Sequence, residues 1–199
     1  MKTIIQISKK MKLLFFDIET TGVKFWKNGI HQISGQIIID DFYKESFDFK
    51  VCPVQGCEIE KEALEIGKVT IEQIKLYPSM KEVYLQIIEM LSKYVDKYDK
   101  KDKFFLAGYN NASFDNQFLR AWFVQNGDNY FGSWFWSNSI DVMVLASNKL
   151  LNERSEMENF KLMTVAKQLG VEIDELKLHD ATYDIELTKD IYYKLKLGE

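Results

Sequence analysis

The sequence MKLLFFDIETTG occupies residues 11–22 and decides the fold. Four large apolar residues, 13–16, lead into Asp17, and the run closes at a Thr-Thr-Gly turn. A short apolar block of strand-forming residues bounded by a turn predicts a buried β-strand over 11–19. Because side chains two apart on a strand share a face, Asp17 and Glu19 are predicted to point at one spot near the end of this strand.

An acidic pair at the end of a buried strand requires compensation, because burying a carboxylate without a partner is costly. Oxygen-only ligands suit a divalent cation such as Mg²⁺ or Mn²⁺. The alternative is a solvated strand end with two ordinary surface acids. The pair alone does not decide between a metal site and a solvated end.

The remaining pattern is that of a mixed α/β protein built around one sheet. Strands predicted over 31–40 and 42–51 would continue the first one as an antiparallel meander. Capping-box patterns at Thr70–Gln73 and Ser79–Glu82 mark two helix starts. The pattern then predicts a helix over about 79–97, a strand over 103–109, a helix from about 113, an aromatic-rich loop over 126–138, and helices near 140–151, 159–169 and 181–197.

Composition excludes several classes of protein. Of the 199 residues, 46% are hydrophobic and 28% charged, which excludes a disordered chain and predicts one domain over 1–199. Residues 1–10 read as a tail, and Met11 is an alternative start. No apolar run is long enough for a bilayer, and Ser8, Lys9 and Lys10 interrupt what would be the core of a signal peptide. We therefore expect a cytoplasmic protein without a membrane partner.

Charge and cysteine content narrow the chemistry further. The formal net charge of −4 argues against a broad basic face for gripping nucleic acid. A site where cations neutralise clustered carboxylates is compatible with that charge. Cys52 and Cys57 are too few for a disulfide framework or a four-cysteine zinc site, and we expect both to be reduced.

Two further motifs place acidic residues where they could join the first pair. Asp115 follows the 103–109 strand and lies in the first turn of a helix, where it could equally serve only the helix dipole. The segment HDATYD, 179–184, carries His179 and Asp184. Five positions diverge by about 140° on a helix, so these two converge only if His179 precedes the helix, with Asp180 or Thr182 as its cap. Otherwise they are a surface histidine and a first-turn aspartate.

The strings FDIETTG, NASFD and HDATYD, in this order, resemble the three motifs of the DEDDh family, the DnaQ-like 3′–5′ exonucleases. The resemblance runs from about Lys12 to Leu195. It implies a ribonuclease H-like fold, a mixed five-stranded sheet flanked by helices. It also implies two divalent cations, Mg²⁺ or Mn²⁺, held by four carboxylates: Asp17, Glu19, Asp115 and Asp184. His179 would be the general base.

The resemblance extends to residues that would contact the substrate. It implies that the 3′-terminal nucleotide meets the segment after the acidic pair: Thr20, Thr21 and Gly22. Asn111 would contact the substrate or order its turn. The histidine that the family usually has before this asparagine is Asn110 here.

The implied activity is a metal-dependent 3′–5′ exonuclease that releases nucleoside 5′-monophosphates from single-stranded or frayed ends. DNA is favoured over RNA because the chain is most similar to the proofreading branch, that of the epsilon subunit of DNA polymerase III. A DNA polymerase subunit is then an implied partner. The alternatives are an RNA-trimming enzyme of the same family and a non-catalytic nucleic-acid-binding or polymerase-associated module.

Other conspicuous residues have plainer interpretations. The aromatic residues Trp134, Phe135 and Trp136 could stack on bases, but packing of the loop onto the core or formation of a partner surface is the favoured interpretation. We expect His31 to be structural and Asp141 to start a helix rather than to bind a metal. The lysines between 93 and 103 are typical of a solvated loop.

Overall fold

A mixed sheet with helices on both faces forms the framework of the protein. The computed structural model describes residues 10–177 and 180–198. In chain order the elements are β1 (Lys12–Thr20), β2 (Ile30–Ile39), β3 (Phe42–Lys50), α1 (Lys61–Ile66), α2 (Ile71–Lys75), α3 (Met80–Ser92), β4 (Phe105–Gly108), α4 (Asp115–Gln125), α5 (Phe131–Trp134), β5 (Ile140–Asp141), α6 (Val142–Lys149), α7 (Leu162–Gln168) and α8 (Ala181–Leu197), with 3₁₀ turns at Arg154–Glu156 and Glu175–Lys177.

The five strands lie in the order β3-β2-β1-β4-β5. β1 pairs antiparallel with β2, and β2 with β3, which confirms the predicted meander. β4 pairs parallel with β1, and β5 parallel with β4. The carboxyl ends of β1, β4 and β5 therefore share one edge of the sheet. The ribonuclease H-like mixed sheet implied by the resemblance is confirmed.

The alternation of side chains along β1 divides the core into two layers. Leu14, Phe16 and Ile18 pack with α3, α4 and the segment 131–135. Leu13 and Phe15 pack on the opposite face with α6, α7 and α8. Because Asp17 and Glu19 continue the side of Leu13 and Phe15, they face the layer that contains α8. The sheet thus aims both carboxylates at the helix that carries Asp184.

Several predicted boundaries agree closely with the structure. The three strands β1, β2 and β3 each begin and end within one residue of the predicted bounds, and α8 spans 181–197 as predicted. Thr70 and Gln73 form a complete capping box at the start of α2. Ser79 caps α3 by accepting a hydrogen bond from the Glu82 amide. Local capping chemistry therefore fixes these helix starts.

Three predicted elements differ from the structure. α3 ends at Ser92 rather than near 97, although Val95 is still buried in the core. The helix predicted over 140–151 begins with the short strand β5, which pairs with β4 before α6 starts. The loop predicted over 126–138 contains the one-turn helix α5. The apolar pattern continues past the end of α3 because Val95 still packs into the core. Residues 140 and 141 form a strand because they pair with β4.

The described residues contain both cysteines and every helix listed above. Cys52 and Cys57 are free thiols, as expected. None of the helices in the described part of the chain is long and apolar enough to cross a membrane.

Candidate active site

The end of β1 carries two half-buried carboxylates. Burial raises the pKa of Asp17 well above its usual range, and the charges of Asp115, Glu19 and Asp184 raise it further. The pKa of Glu19 rises to about 7, first through burial and then through Asp184, while Lys50 opposes the rise. Mutual repulsion of this kind requires the carboxylates to lie close together. The pair therefore belongs to a larger acidic cluster.

Asp115 reaches the same place from another element. It is the first residue of α4, after the turn that leaves β4, and its side chain is buried. Burial raises the pKa of its carboxyl group, and hydrogen bonds from the backbone amides of Asp115 itself and of Ile18 oppose that rise. Since Ile18 belongs to β1, β4 delivers Asp115 to the strand that carries Asp17. The helix dipole alone does not account for this position.

Asp184 approaches from the opposite layer. It lies half-buried in the first turn of α8, and its charge raises the pKa of both Asp17 and Glu19. Asp180 caps this helix, because its Oδ1 accepts a hydrogen bond of 3.1 Å from the Tyr183 amide. α8 therefore begins after position 179, which is the condition for a histidine there to converge with Asp184. His179 itself lies outside the described residues.

Asp141 holds the turn that delivers Asp115, a role the sequence did not reveal. Its carboxylate caps α6 by accepting a hydrogen bond of 3.0 Å from the Met143 amide. It also accepts hydrogen bonds of 3.0 Å from the Asn110 amide and 3.3 Å from the Ala112 amide. The predicted helix-start role is confirmed, and the two further bonds make Asp141 a positioning residue for the β4–α4 turn.

The segment Thr20–Gly22 is largely engaged with the protein itself. The Thr21 hydroxyl donates to the Glu58 carbonyl at 2.7 Å and accepts from the Gly29 amide at 2.9 Å. The Thr21 amide donates to the Gly29 carbonyl, and its side chain is fully buried. The Thr20 hydroxyl donates to the Gly22 carbonyl at 2.8 Å. Both hydroxyls therefore have partners within the protein, and contact of this segment with a substrate stays a prediction.

Gly22 serves close packing within the protein. A Cβ at this position would lie 2.4 Å from Nδ2 of Asn28. That amide in turn donates hydrogen bonds to the carbonyls of Glu58 and Thr21. The missing side chain thus makes room for Asn28, which fastens the loop after β1.

Asn110 and Asn111 shape the turn before α4. Asn110 adopts a left-handed conformation, with φ of 60°, which asparagine tolerates better than most residues. Asn111 is fully buried, and its carbonyl accepts a hydrogen bond of 2.9 Å from the Asn116 amide. Its Oδ1 has no hydrogen-bond partner among the described residues. Of the two predicted roles for Asn111, ordering the turn is the one that these contacts support.

The acidic cluster fits a divalent cation by its chemistry. Its donors are carboxylate oxygens alone, brought together from β1, α4 and α8. Burial and then the charges of Asp115, Glu19 and Asp184 raise the pKa of Asp17. Within residues 10–177 and 180–198, however, no three His, Cys, Asp or Glu side chains already form a group that could hold a metal ion. Like-charged oxygens are expected to stand apart until a cation lies between them.

The other conspicuous side chains have structural positions. Trp134 and Phe135 are buried in the core, which confirms packing over base stacking for these two. Trp136 is half-buried and remains accessible. His31 is buried in β2, as expected of a structural residue. Lys93 pairs with Glu45 on β3, so the lysine-rich loop is partly tied to the sheet.

Comparison with known protein families decides the family. A family model named RNase_T, described as "Exonuclease", matches residues 14–192. The chain belongs to this exonuclease family. The matched residues include all three motifs and every carboxylate of the acidic cluster, so the cluster lies inside the exonuclease domain.

Solved structures share the fold of this exonuclease domain. E. coli exonuclease I in complex with a dT13 oligonucleotide is 20% identical, with a TM-score of 0.72 over 94% of this chain and 41% of that chain. The zinc-bound form of the E. coli exonuclease I–single-stranded DNA complex is 20% identical, with a TM-score of 0.74 over 96% of this chain and 41% of that chain. The chain thus spans about two fifths of those proteins. A search among curated proteins finds no significant match.

Proposed function

We propose that the protein is a metal-dependent 3′–5′ exonuclease that shortens single-stranded or frayed DNA and releases nucleoside 5′-monophosphates. One observation carries the proposal: three separate elements bring acidic side chains together at one edge of the sheet, where they raise one another's pKa. Such a cluster is unfavourable for stability by itself. It is useful where cations and a phosphodiester must meet.

We assign two divalent cations, Mg²⁺ or Mn²⁺, to the four carboxylates named above: Asp17, Glu19, Asp115 and Asp184. When bound, such a pair supplies charge neutralisation at the phosphate and lowers the pKa of a coordinated water. The four carboxylates carry a formal charge of −4, which two such cations balance. With its carboxylates neutralised by the cations, the acidic protein can therefore bind a polyanion without a basic face.

The chain's own residues orient the reaction. We assign His179 as the general base that takes the proton of the attacking water, because a neutral imidazole accepts protons near pH 7. The Asp180 cap sets where α8 begins, and so how Asp184 is presented in its first turn. Asp141 and Asn111 hold the turn that presents Asp115. Thr20, Thr21 and Gly22 shape the wall where we place the 3′-terminal nucleotide.

The substrate class rests on the exonuclease family and on the structural neighbours. E. coli exonuclease I has been solved with dT13 and dA16 oligonucleotides, which supports single-stranded DNA as the substrate here. From the resemblance to the proofreading branch we further propose a DNA polymerase subunit as a partner, and from the sequence pattern we propose cytoplasmic action. RNA of the same sequence is the alternative substrate.

The decisive experiment is digestion of a 5′-labelled single-stranded oligonucleotide by the whole chain, as DNA and as RNA, with Mg²⁺, Mn²⁺ or EDTA. We expect a ladder that shortens from the 3′ end with either metal and not with EDTA. Release of the labelled mononucleotide at the start would indicate the opposite polarity. If RNA is digested faster than DNA, RNA becomes the proposed substrate.

Variants assign the residues in the same assay. Asp17→Asn and His179→Ala should each lower the rate by at least about 100-fold, because each removes a group placed at the reacting centre. Glu89→Gln, which removes an exposed carboxylate on α3, is the matched control and should leave the rate unchanged. Full activity in Asp17→Asn, or no shortening by the wild type with either metal, would contradict the proposal.

A further inference from the structure

A groove of about 580 Å³ runs along the outer side of α4. Two of its lining residues, Ala112 and Asn116, flank Asp115 of the acidic cluster in the chain. Its walls come from the loop after β1, from α4, and from the segment that leads into β5. The groove therefore shares the turn and the first residues of α4 with the segment that carries Asp115.

Two tryptophans border this groove and remain accessible. Trp26 is 66% exposed, although its ring packs edge-on against Phe25 with centroids 4.9 Å apart. Trp136 lies opposite in the lining and rests on Phe105, with centroids 5.9 Å apart. Each indole is thus held by another ring, and the Nζ of Lys103 also lies 5.3 Å from the centre of the Trp136 ring. An exposed tryptophan held in place in this way presents a flat apolar face to a ligand.

The charge of the groove is opposite in sign to that of the protein. Arg120 lines it, with its guanidinium carbon 4.5 Å from the centre of the Phe131 ring, which holds the group on the groove wall. Among the described residues, no aspartate or glutamate lines the groove. In a chain of net charge −4, this surface carries one positive charge and no negative one.

We propose that the groove binds the unpaired bases of the nucleic-acid strand just upstream of the 3′ end, with Trp26 and Trp136 stacking on bases and Arg120 contacting a phosphate. Aromatic faces combined with a cationic group are how sequence-tolerant binders hold single strands. The inference rests on the proposed function, since it places the strand relative to the acidic cluster. A strand is favoured over a protein partner because the lining combines aromatic rings with one cationic group and no acidic one, and because two lining residues flank Asp115.

The test measures affinity separately from hydrolysis. The probe is a 5′-fluorescein dT12 with phosphorothioate linkages at its 3′ end, titrated with the whole chain in Mg²⁺ and followed by anisotropy. Trp26→Ala and Arg120→Ala should each weaken binding at least about fivefold, the lower bound for losing one stacked base. Trp26→Phe keeps an aromatic face and should stay within about threefold of the wild type.

The chain offers matched controls for both variants. Phe42 on the edge strand β3 is 69% exposed, close to the value for Trp26. Arg154 is the other arginine of the chain, and its guanidinium carbon lies 5.4 Å from the Phe160 ring. Phe42→Ala and Arg154→Ala should bind dT12 within about twofold of the wild type. Thermal melting of each variant verifies that it is folded.

A second readout separates this inference from the proposed function. The p-nitrophenyl ester of thymidine 5′-monophosphate offers the reacting phosphate without upstream bases. Trp26→Ala should therefore lose more hydrolytic activity on dT12 with ordinary phosphodiester linkages than on this ester. If the wild type hydrolyses neither substrate, the proposed function fails. The affinities for dT12 still show whether the groove binds the strand. If folded Trp26→Ala and Arg120→Ala bind dT12 like the wild type, the groove does not bind the strand. A protein partner would then be the remaining occupant.

Discussion

His31 is a buried imidazole whose two ring nitrogens have no hydrogen-bond partner among the described residues. Burial, together with the charge of Lys50, lowers its pKa to about 4. The folded protein therefore keeps this histidine neutral at pH values where an unfolded chain would protonate it. Gly67 packs against it, since a Cβ there would lie 3.2 Å from the imidazole Cε1.

This histidine should make the protein less stable in mild acid. Its pKa is lower in the folded state, so the stability it permits is complete above the unfolded pKa of about 6.5 and is lost as pH falls towards 4. Between pH 7 and pH 5 we expect a loss of about 2 kcal/mol from this group. Urea unfolding at both pH values should show that loss in the wild type and a smaller one in His31→Leu. Equal pH dependence in both proteins would contradict the assignment.

Single residues show where sequence reasoning reaches its limit. The period of two along β1 correctly places Asp17 and Glu19 on one face, because strand geometry is local. The engagement of Thr21 is not local: its hydroxyl partners, the Gly29 amide and the Glu58 carbonyl, lie 8 and 37 positions away. A motif therefore predicts that this segment borders the site, but not which of its polar atoms are already used.

At the scale of elements, the junction of β4, α4, β5 and α6 organises the site. The carboxylate of Asp141, at the end of β5, joins the β4–α4 turn to α6, because it accepts amide hydrogen bonds from both. The sequence predicted the cap but not the turn contacts, because β5 is only two residues long and pairs through tertiary contact with β4. Short elements of this kind carry too few residues for a periodic signal.

Asp141→Ala should therefore lower both stability and activity. Losing the cap and leaving two turn amides without a partner should cost about 2–3 kcal/mol of unfolding free energy, and the loosened turn should lower kcat through Asp115. Ser79→Ala removes the cap of α3 alone and should cost about 1 kcal/mol with unchanged kcat. Urea unfolding and digestion rates measure both effects. If the two folded variants keep the same kcat, Asp141 serves stability only.

At the scale of the whole molecule, the acidic cluster opposes folding in the absence of a cation. The elements β1, α4 and α8 must bring carboxylates together in a partly buried site, where burial and then repulsion raise the pKa of Asp17, Glu19 and Asp115. The two-layer core of aromatic and aliphatic side chains offsets this cost. The convergence of the four carboxylates was implied by the resemblance of the three motifs to the DEDDh family, whereas each motif alone also allowed a plainer interpretation.

Removing one of these charges should stabilise the metal-free protein while abolishing its activity. In EDTA at pH 8, Asp17→Asn should melt several degrees above the wild type, since about 1 kcal/mol corresponds to about 2–4 °C at this size. Saturating Mg²⁺ should raise the melting temperature of the wild type, by about 2.7 kcal/mol of stabilisation at 100 times Kd, and raise that of Asp17→Asn much less. Glu89→Gln, the exposed control, should follow the wild type in both conditions. If Asp17→Asn melts below the wild type in EDTA, the carboxylate is compensated within the protein and the cluster does not depend on a cation.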